Sequence, residues 1–177
     1  MPKATILCGS ANPEGVTISM CREAEGCLES AGYDVDLIIL SELEINHCTD
    51  CGACRDGGCI MDDGMAVVYD SFSTSDLLIL ASPIHFSGPS SLIKTAMDRF
   101  QLYWYNRDLP HPRYCAAMLC GGSEEPRFQF TVSIFRAFSI TTGMEWLGHA
   151  EIPFTDERHD SEVHERIPAF IDGLIGT

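Results

Sequence analysis

Five short apolar stretches recur along the chain, and each is followed by a segment with helical spacing. The first, Lys3 to Cys8, reads KATILC and ends at Gly9. The second, Asp34 to Leu40, reads DVDLIIL. The third, Asp76 to Ala81, reads DLLILA and is apolar after its first residue, as strands buried on both faces are. Tyr114 to Leu119 and Met144 to Ile152 supply the other two. Between the first two, Met20, Ala24, Cys27, Leu28 and Ala31 share a helical face, with Arg22, Glu23, Glu25 and Glu29 outside and Gly32 as the stop. Further stripes run through Met65, Val68, Tyr69 and Phe72, through Leu92, Ala96, Met97 and Phe100, and through Phe128, Val132, Phe135 and Phe138. Val163 to Leu174 gives a closing helix, which Pro168 is expected to kink or delay. Pro89 is expected to open the third helix, where its missing N–H costs nothing.

Strands that alternate with helices predict a parallel sheet covered on both faces. Right-handed crossovers make that a three-layer, doubly wound α/β fold. Five strands favour the flavodoxin-like order 2-1-3-4-5, with a ligand at the switch point beside the first and third strands. The 177 residues suit a single domain, 1–177, with a long loop insertion at about 41–61. Hydrophobic content of 45% with 21% charged residues is that of a globular chain.

The net charge of −15, with Lys3 and Lys94 the only lysines, excludes the clustered cations that nucleic acid requires and argues against anionic membranes. No apolar run approaches the roughly 20 residues of a membrane span. The stretch MPKATILCGS is too short in apolar residues for a signal peptide, so a cytoplasmic location is expected. The nine cysteines are odd in number, which disfavours a disulfide framework and favours metal or cluster chemistry. Cys8, Cys21, Cys27, Cys115 and Cys120 lie in or beside apolar segments and read as buried thiols.

The segment after the first strand, Gly9 to Thr17, faces the ligand in such a fold. It is neither G-x-G-x-x-G nor G-x4-G-K-[ST], which disfavours a Rossmann dinucleotide site and excludes an ATP-hydrolysing loop. Ser10 and Thr17 offer hydroxyls, Gly15 permits close approach, and no lysine is present. Backbone N–H groups at a helix N-terminus bind phosphate without one. A phosphate monoester that stays bound, such as FMN, fits this loop; a plain helix cap that binds nothing is the alternative. The turn-rich segment Ser82 to Ser90 could flank a flat ring with Pro83, His85 and Phe86 and offer N–H groups at Ser87 and Gly88. Cys120-Gly121-Gly122-Ser123 is a third candidate wall.

Cys48, Cys51, Cys54 and Cys59 are spaced C-x2-C-x2-C-x4-C. Short gaps let thiolates curl around one centre, as a [4Fe–4S] cluster demands. Zinc sites more often use two separated pairs, so a non-enzymatic zinc module is the weaker alternative. No Ser–His–Asp or paired-carboxylate set stands out, so no side chain is nominated as catalytic and the chemistry falls to the cofactors. Asp62-Asp63 read as caps of the next helix. Arg99 with Phe100, Tyr103, Trp104 and Tyr105 reads as a helix end and subunit interface.

The loop at 9–17, the cysteine run followed by Asp62-Asp63, the SPIHF segment at 82–86, and Lys94 with Asp98-Arg99 occur in that order. Together they resemble the iron–sulfur flavoproteins, within the NADPH-dependent FMN reductase branch of the flavodoxin-like fold. The motif match covers roughly residues 4 to 100. The resemblance implies an FMN phosphate at Ser10, Asn12, Gly15, Val16 and Thr17, and ring contacts from Pro83, Ile84, His85, Phe86, Ser87 and Gly88. It implies ligation of the cluster by the same four cysteines, and a homodimer or homotetramer. It departs from that family at Ala11, Asn12, Val16 and His85. The function expected is to link two-electron flavin chemistry to one-electron transfer, with NAD(P)H as a candidate co-substrate. A cluster-free NAD(P)H-dependent FMN or quinone reductase is the alternative.

Overall fold

The computed structural model describes residues 1–157 and 161–176. Five parallel strands form the sheet: β1 (Lys3–Cys8), β2 (Asp34–Ile39), β3 (Leu77–His85), β4 (Tyr114–Cys120) and β5 (Glu145–Ile152). Their order is β2-β1-β3-β4-β5, the predicted one. β1 is central to the switch point, with Ala4 paired to Val35 on one side and Leu77 on the other. A two-residue antiparallel strand, Gly88–Pro89, folds back on the end of β3.

Among the described residues, six α-helices follow in turn: α1 (Val16–Ser30), α2 (Met65–Thr74), α3 (Ser91–Asp98), the short α4 (Gln101–Tyr105), α5 (Phe128–Thr141) and α6 (Ser161–Ile175). Strand alternation sorts the core into two halves. Ala4, Ile6 and Cys8 of β1, with Leu77, Ile79 and Ala81 of β3, face α1 and α6. Leu7, Leu78 and Leu80 face α2, α3 and α5. Each fully buried leucine or isoleucine contributes about 1.5–3 kcal/mol, so two such layers clamp the sheet from both sides. Of the five cysteines expected inside, Cys8, Cys21, Cys115 and Cys120 are buried and Cys27 is half-buried.

Three expectations need correction. β3 does not end at Ala81 but runs to His85, because Ile84 pairs with Pro89 and His85 with Gly88. Pro89 therefore belongs to that hairpin, and α3 opens at Ser91, with the Ser90 hydroxyl accepting from the Ile93 N–H. Arg99, Phe100 and Tyr103 are not interface residues of this fold: all three are buried. Phe100 packs against Tyr69, Phe72, Tyr103 and Phe138 in a cluster of edge-on and tilted rings. Trp104 and Tyr105 are exposed. Among the described residues, no helix is long and apolar enough to cross a membrane.

Candidate functional site

Every loop that leaves a strand at its C-terminal end reaches one side of the sheet. There the segments after β1, β3 and β5, with the end of β4, enclose a cleft of about 810 Å³. Its floor is the segment after β1: Gly9, Ser10, Asn12, Gly15, Val16 and Thr17 all line it. Gly15 is the N-cap of α1 in extended conformation, and no side chain caps the helix. The first amides of α1 thus keep their donors for a ligand. The loop holds its own shape. The Asn12 N–H donates to Ser10 Oγ, the Glu14 N–H donates to Asn12 Oδ1, and the Gly15 N–H donates to the Asn12 carbonyl.

Close packing requires a glycine at position 9. A Cβ there would lie 2.8 Å from Ser90 Oγ and 2.9 Å from Ile93 Cβ. The Gly9 N–H donates to the Ala81 carbonyl, and its own carbonyl accepts from Ser90 Oγ at 2.6 Å. This ties the floor to the end of β3 and the start of α3.

Thr17 Oγ1 lies 3.1 Å from Cys120 Sγ. Burial pushes the Cys120 thiol up to about 11, so it stays protonated near neutral pH. An S–H that donates to Thr17 leaves the threonine O–H free to donate into the cleft. Among the described residues, the cleft lining contains no lysine or arginine, and it carries Glu14 and Asp156.

The extension of β3 divides the expected ring wall. Pro83 and His85 line the main cleft, while Ile84, Phe86 and Ser87 line an adjoining cavity of about 410 Å³ with Gly121 and Gly122. Alternation along β3 puts Ile84 on the side opposite Pro83 and His85, and Phe86 and Ser87 follow in the turn beyond the strand. Gly88 lines neither and pairs with His85. The connecting turn is strained: Phe86 and Ser87 have φ of +51° and +65°, and the Phe86 ring is fully exposed. Sequence reasoning missed Ser90, Ser91, Leu92, Thr155 and Asp156, which complete the cleft. Asp156 touches both cavities. A Cβ on Gly122 would sit 2.4 Å from its carboxylate, so glycine makes room for the acid.

The cysteine loop forms a second site. Cys48, Cys51, Cys54 and Cys59 all line one pocket of about 30 Å³, with Met61, Arg99, Gln101 and Tyr105. Cys48 and Cys51 are exposed, and the other two are half-buried. Burial raises the Cys54 thiol, and the neighbouring cysteine sulfurs add to the effect. Among the described residues, no three His, Cys, Asp or Glu side chains are gathered closely enough to hold a metal ion. Asp50 and Gly52 have φ of +51° and +77°, so the loop turns sharply between its first two cysteines and just after the second.

Beneath the pocket lies a buried ion pair. Arg99 Nη1 donates to Asp63 Oδ2 at 2.7 Å and Nη2 to Asp63 Oδ1 at 3.2 Å. Asp63 also accepts from the Asn46 and Met65 N–H groups, so its side chain takes the first amide of α2, while the N-cap position itself is Gly64 rather than the expected Asp62-Asp63. The Arg99 hydrogen bond holds the Asp63 carboxyl down at about 2. Burial works against the charge of Arg99, but its bonds to Asp63 and Cys59 outweigh that and hold it above the usual arginine value.

The two sites suit different groups. Uncapped amides, hydroxyls and a glycine-tight floor suit a phosphate tail. Four sulfurs around one pocket over an arginine suit an iron–sulfur group by donor chemistry, although they are not drawn together.

Residues 2–155 match the protein family described as NADPH-dependent FMN reductase. An iron–sulfur flavoprotein of Methanocaldococcus jannaschii is 35% identical over 92 residues, 51% of this chain and 48% of that protein. One from Archaeoglobus fulgidus is 33% identical over 108 residues, 60% of this chain and 49% of that protein. The chain thus spans about half the length of these curated relatives. Among solved structures, an NAD(P)H:quinone oxidoreductase from Methanothermobacter marburgensis superposes with a TM-score of 0.74, covering 97% of this chain and 94% of that one. At 12% identity, that likeness speaks to the fold alone.

Proposed function

The chain belongs to the NADPH-dependent FMN reductase family, and from that premise we propose that it is an FMN-dependent oxidoreductase that also carries a [4Fe–4S] cluster. The observation that carries the flavin half is the cleft of about 810 Å³ floored by the uncapped start of α1. The α1 amides, with Ser10 and Thr17, seat the FMN phosphate. Gly9 and Gly15 let the backbone come close. Pro83 and His85 on one side, and Ile84, Phe86, Ser87, Gly121 and Gly122 on the other, shape the space for the ring. When bound, FMN accepts a hydride or single electrons, and the protein positions it. With no cation at the phosphate, the helix dipole and N–H groups supply the attraction.

Cys48, Cys51, Cys54 and Cys59 are the proposed ligands of the cluster, whose chemistry is one-electron transfer. What supports this is their shared pocket and the names of the curated relatives. The cluster-free reductase remains a second reading, favoured by the separation of the sulfurs. A homodimer or homotetramer is the assembly proposed, and the exposed rings of Phe86, Trp104 and Phe130 are consistent with it.

Binding of FMN and of riboflavin, followed by quenching of flavin fluorescence, tests the phosphate seat. FMN is expected to bind at least tenfold more tightly, about 1.4 kcal/mol. Equal affinities would mean that the floor of the cleft does not hold phosphate.

A further inference from the structure

Arg99 is 2% exposed, and a buried arginine is tolerated only where its donors are used. Asp63 takes one bond from each terminal nitrogen. Nη1 also donates to the Asn46 carbonyl at 2.8 Å, and Nη2 donates to Cys59 Sγ at 3.3 Å. Nε is buried without a partner among the described residues. The backbone of Arg99 is fixed as well. Its N–H donates to the Ala96 carbonyl, and its carbonyl accepts from Tyr69 Oη at 2.6 Å. Balancing the charge of Asp63 does not require the bond to sulfur. That bond depends on the planar fork, which a lysine does not have. Cys48 and Cys51 differ: both are exposed, and no hydrogen bond to either sulfur is formed among the described residues.

We propose that Arg99 is a positioning residue of the sulfur site, which holds Cys59 as the fixed ligand onto which the exposed Cys48–Cys51 segment closes, and which turns positive charge toward that sulfur while Asp63 balances it from behind. The proposal rests on the cluster reading above. Hydrogen bonds and positive charge at a ligating sulfur stabilise the reduced, more negative cluster and so raise its potential. Arg99 therefore pushes the potential up and Asp63 pushes it down. A purely structural pair has no reason to act in opposite directions.

The test is a potentiometric titration of the anaerobically reconstituted protein, followed by the paramagnetic signal of the reduced cluster. Wild type is compared with Arg99→Gln, Arg99→Lys and Asp63→Asn, each with its FMN content and melting temperature recorded. Arg99→Gln is expected to lower the reduced-to-oxidised ratio at a fixed poise about tenfold, or about 59 mV for one electron. Asp63→Asn is expected to move it the other way. Arg99→Lys keeps the charge and loses the sulfur bond, so it should fall between wild type and Arg99→Gln; it also carries the test if Arg99→Gln does not fold. Shifts in the same direction, or none, overturn the proposal.

Thiol labelling of the apo-protein tests the anchor without any cluster. Labelling of Cys59 should accelerate about tenfold in Arg99→Lys while that of Cys48 is unchanged, and an unchanged rate at Cys59 overturns the anchoring. Wild type that takes up no iron but shows the labelling change refutes the cluster reading and leaves the anchoring standing.

Discussion

The floor of the large cleft and the cysteine loop are both irregular segments between a strand and a helix, yet they are held in different ways. The first is seven residues from Gly9 to Gly15, bounded by β1 and α1 and bonded to itself, to Ala81 and to Ser90. Its shape is complete before a ligand arrives. The second runs from Leu43 to Gly64, broken only by a short turn of helix at Ala53–Arg55. It is fixed at its far end by the buried Asp63–Arg99 pair, while Cys48 and Cys51 stay exposed. A preformed seat binds without paying for order, whereas an open loop must give up conformational freedom when it closes. The cleft is therefore shaped by the fold alone, whereas the sulfur site, on the proposed cluster reading, needs the fold together with a metal.

The largest effect expected is at the open loop. Cys51→Ala should abolish iron uptake while FMN content stays at the wild-type level, measured by iron assay and absorbance. Simultaneous loss of FMN would show that the two sites are not separate. At the rigid floor, Gly9→Ala should destabilise the fold by about 1–3 kcal/mol, since its methyl meets Ser90 and Ile93 at 2.8–2.9 Å. Denaturant unfolding checks this, and an unchanged midpoint would show the floor to be softer than described. Ser10→Ala with Thr17→Ala should weaken FMN binding by about 1–3 kcal/mol, from the loss of two hydrogen bonds. Fluorescence titration reads it, and unchanged affinity would leave the amides as sole holders of the phosphate. The smallest effect distinguishes the thiols. In the apo-protein at pH 8, Cys48 and Cys51 should label rapidly. Cys115 and Cys120, which burial pushes up to about 12 and about 11, should resist until the protein unfolds.

The strand order and the two-layered core were legible because their signals are local and repeated. DLLILA can only be buried on both faces, and the β1 and β3 residues alternate as its composition implies. The end of β3 was not legible. Pro83 and Pro89 read as turn punctuation, and Phe86-Ser87 lacks the Asn-Gly or Asp-Gly signature of a two-residue hairpin. The burial of Arg99 was hidden because its partner Asp63 lies 36 residues away. Thr155 and Asp156 come to the cleft through topology, at the end of β5. A stricter use of the rule that ligands gather at the carboxyl ends of all the strands would have found them.

The most direct measurement is the content of FMN, iron and sulfide in protein purified without oxygen, with its absorption spectrum. This account predicts about one FMN with about four iron and four sulfide per chain, and broad iron–sulfur absorbance beneath the flavin bands. Stoichiometric FMN with no iron, even after reconstitution with iron and sulfide, would contradict the pairing of the two sites.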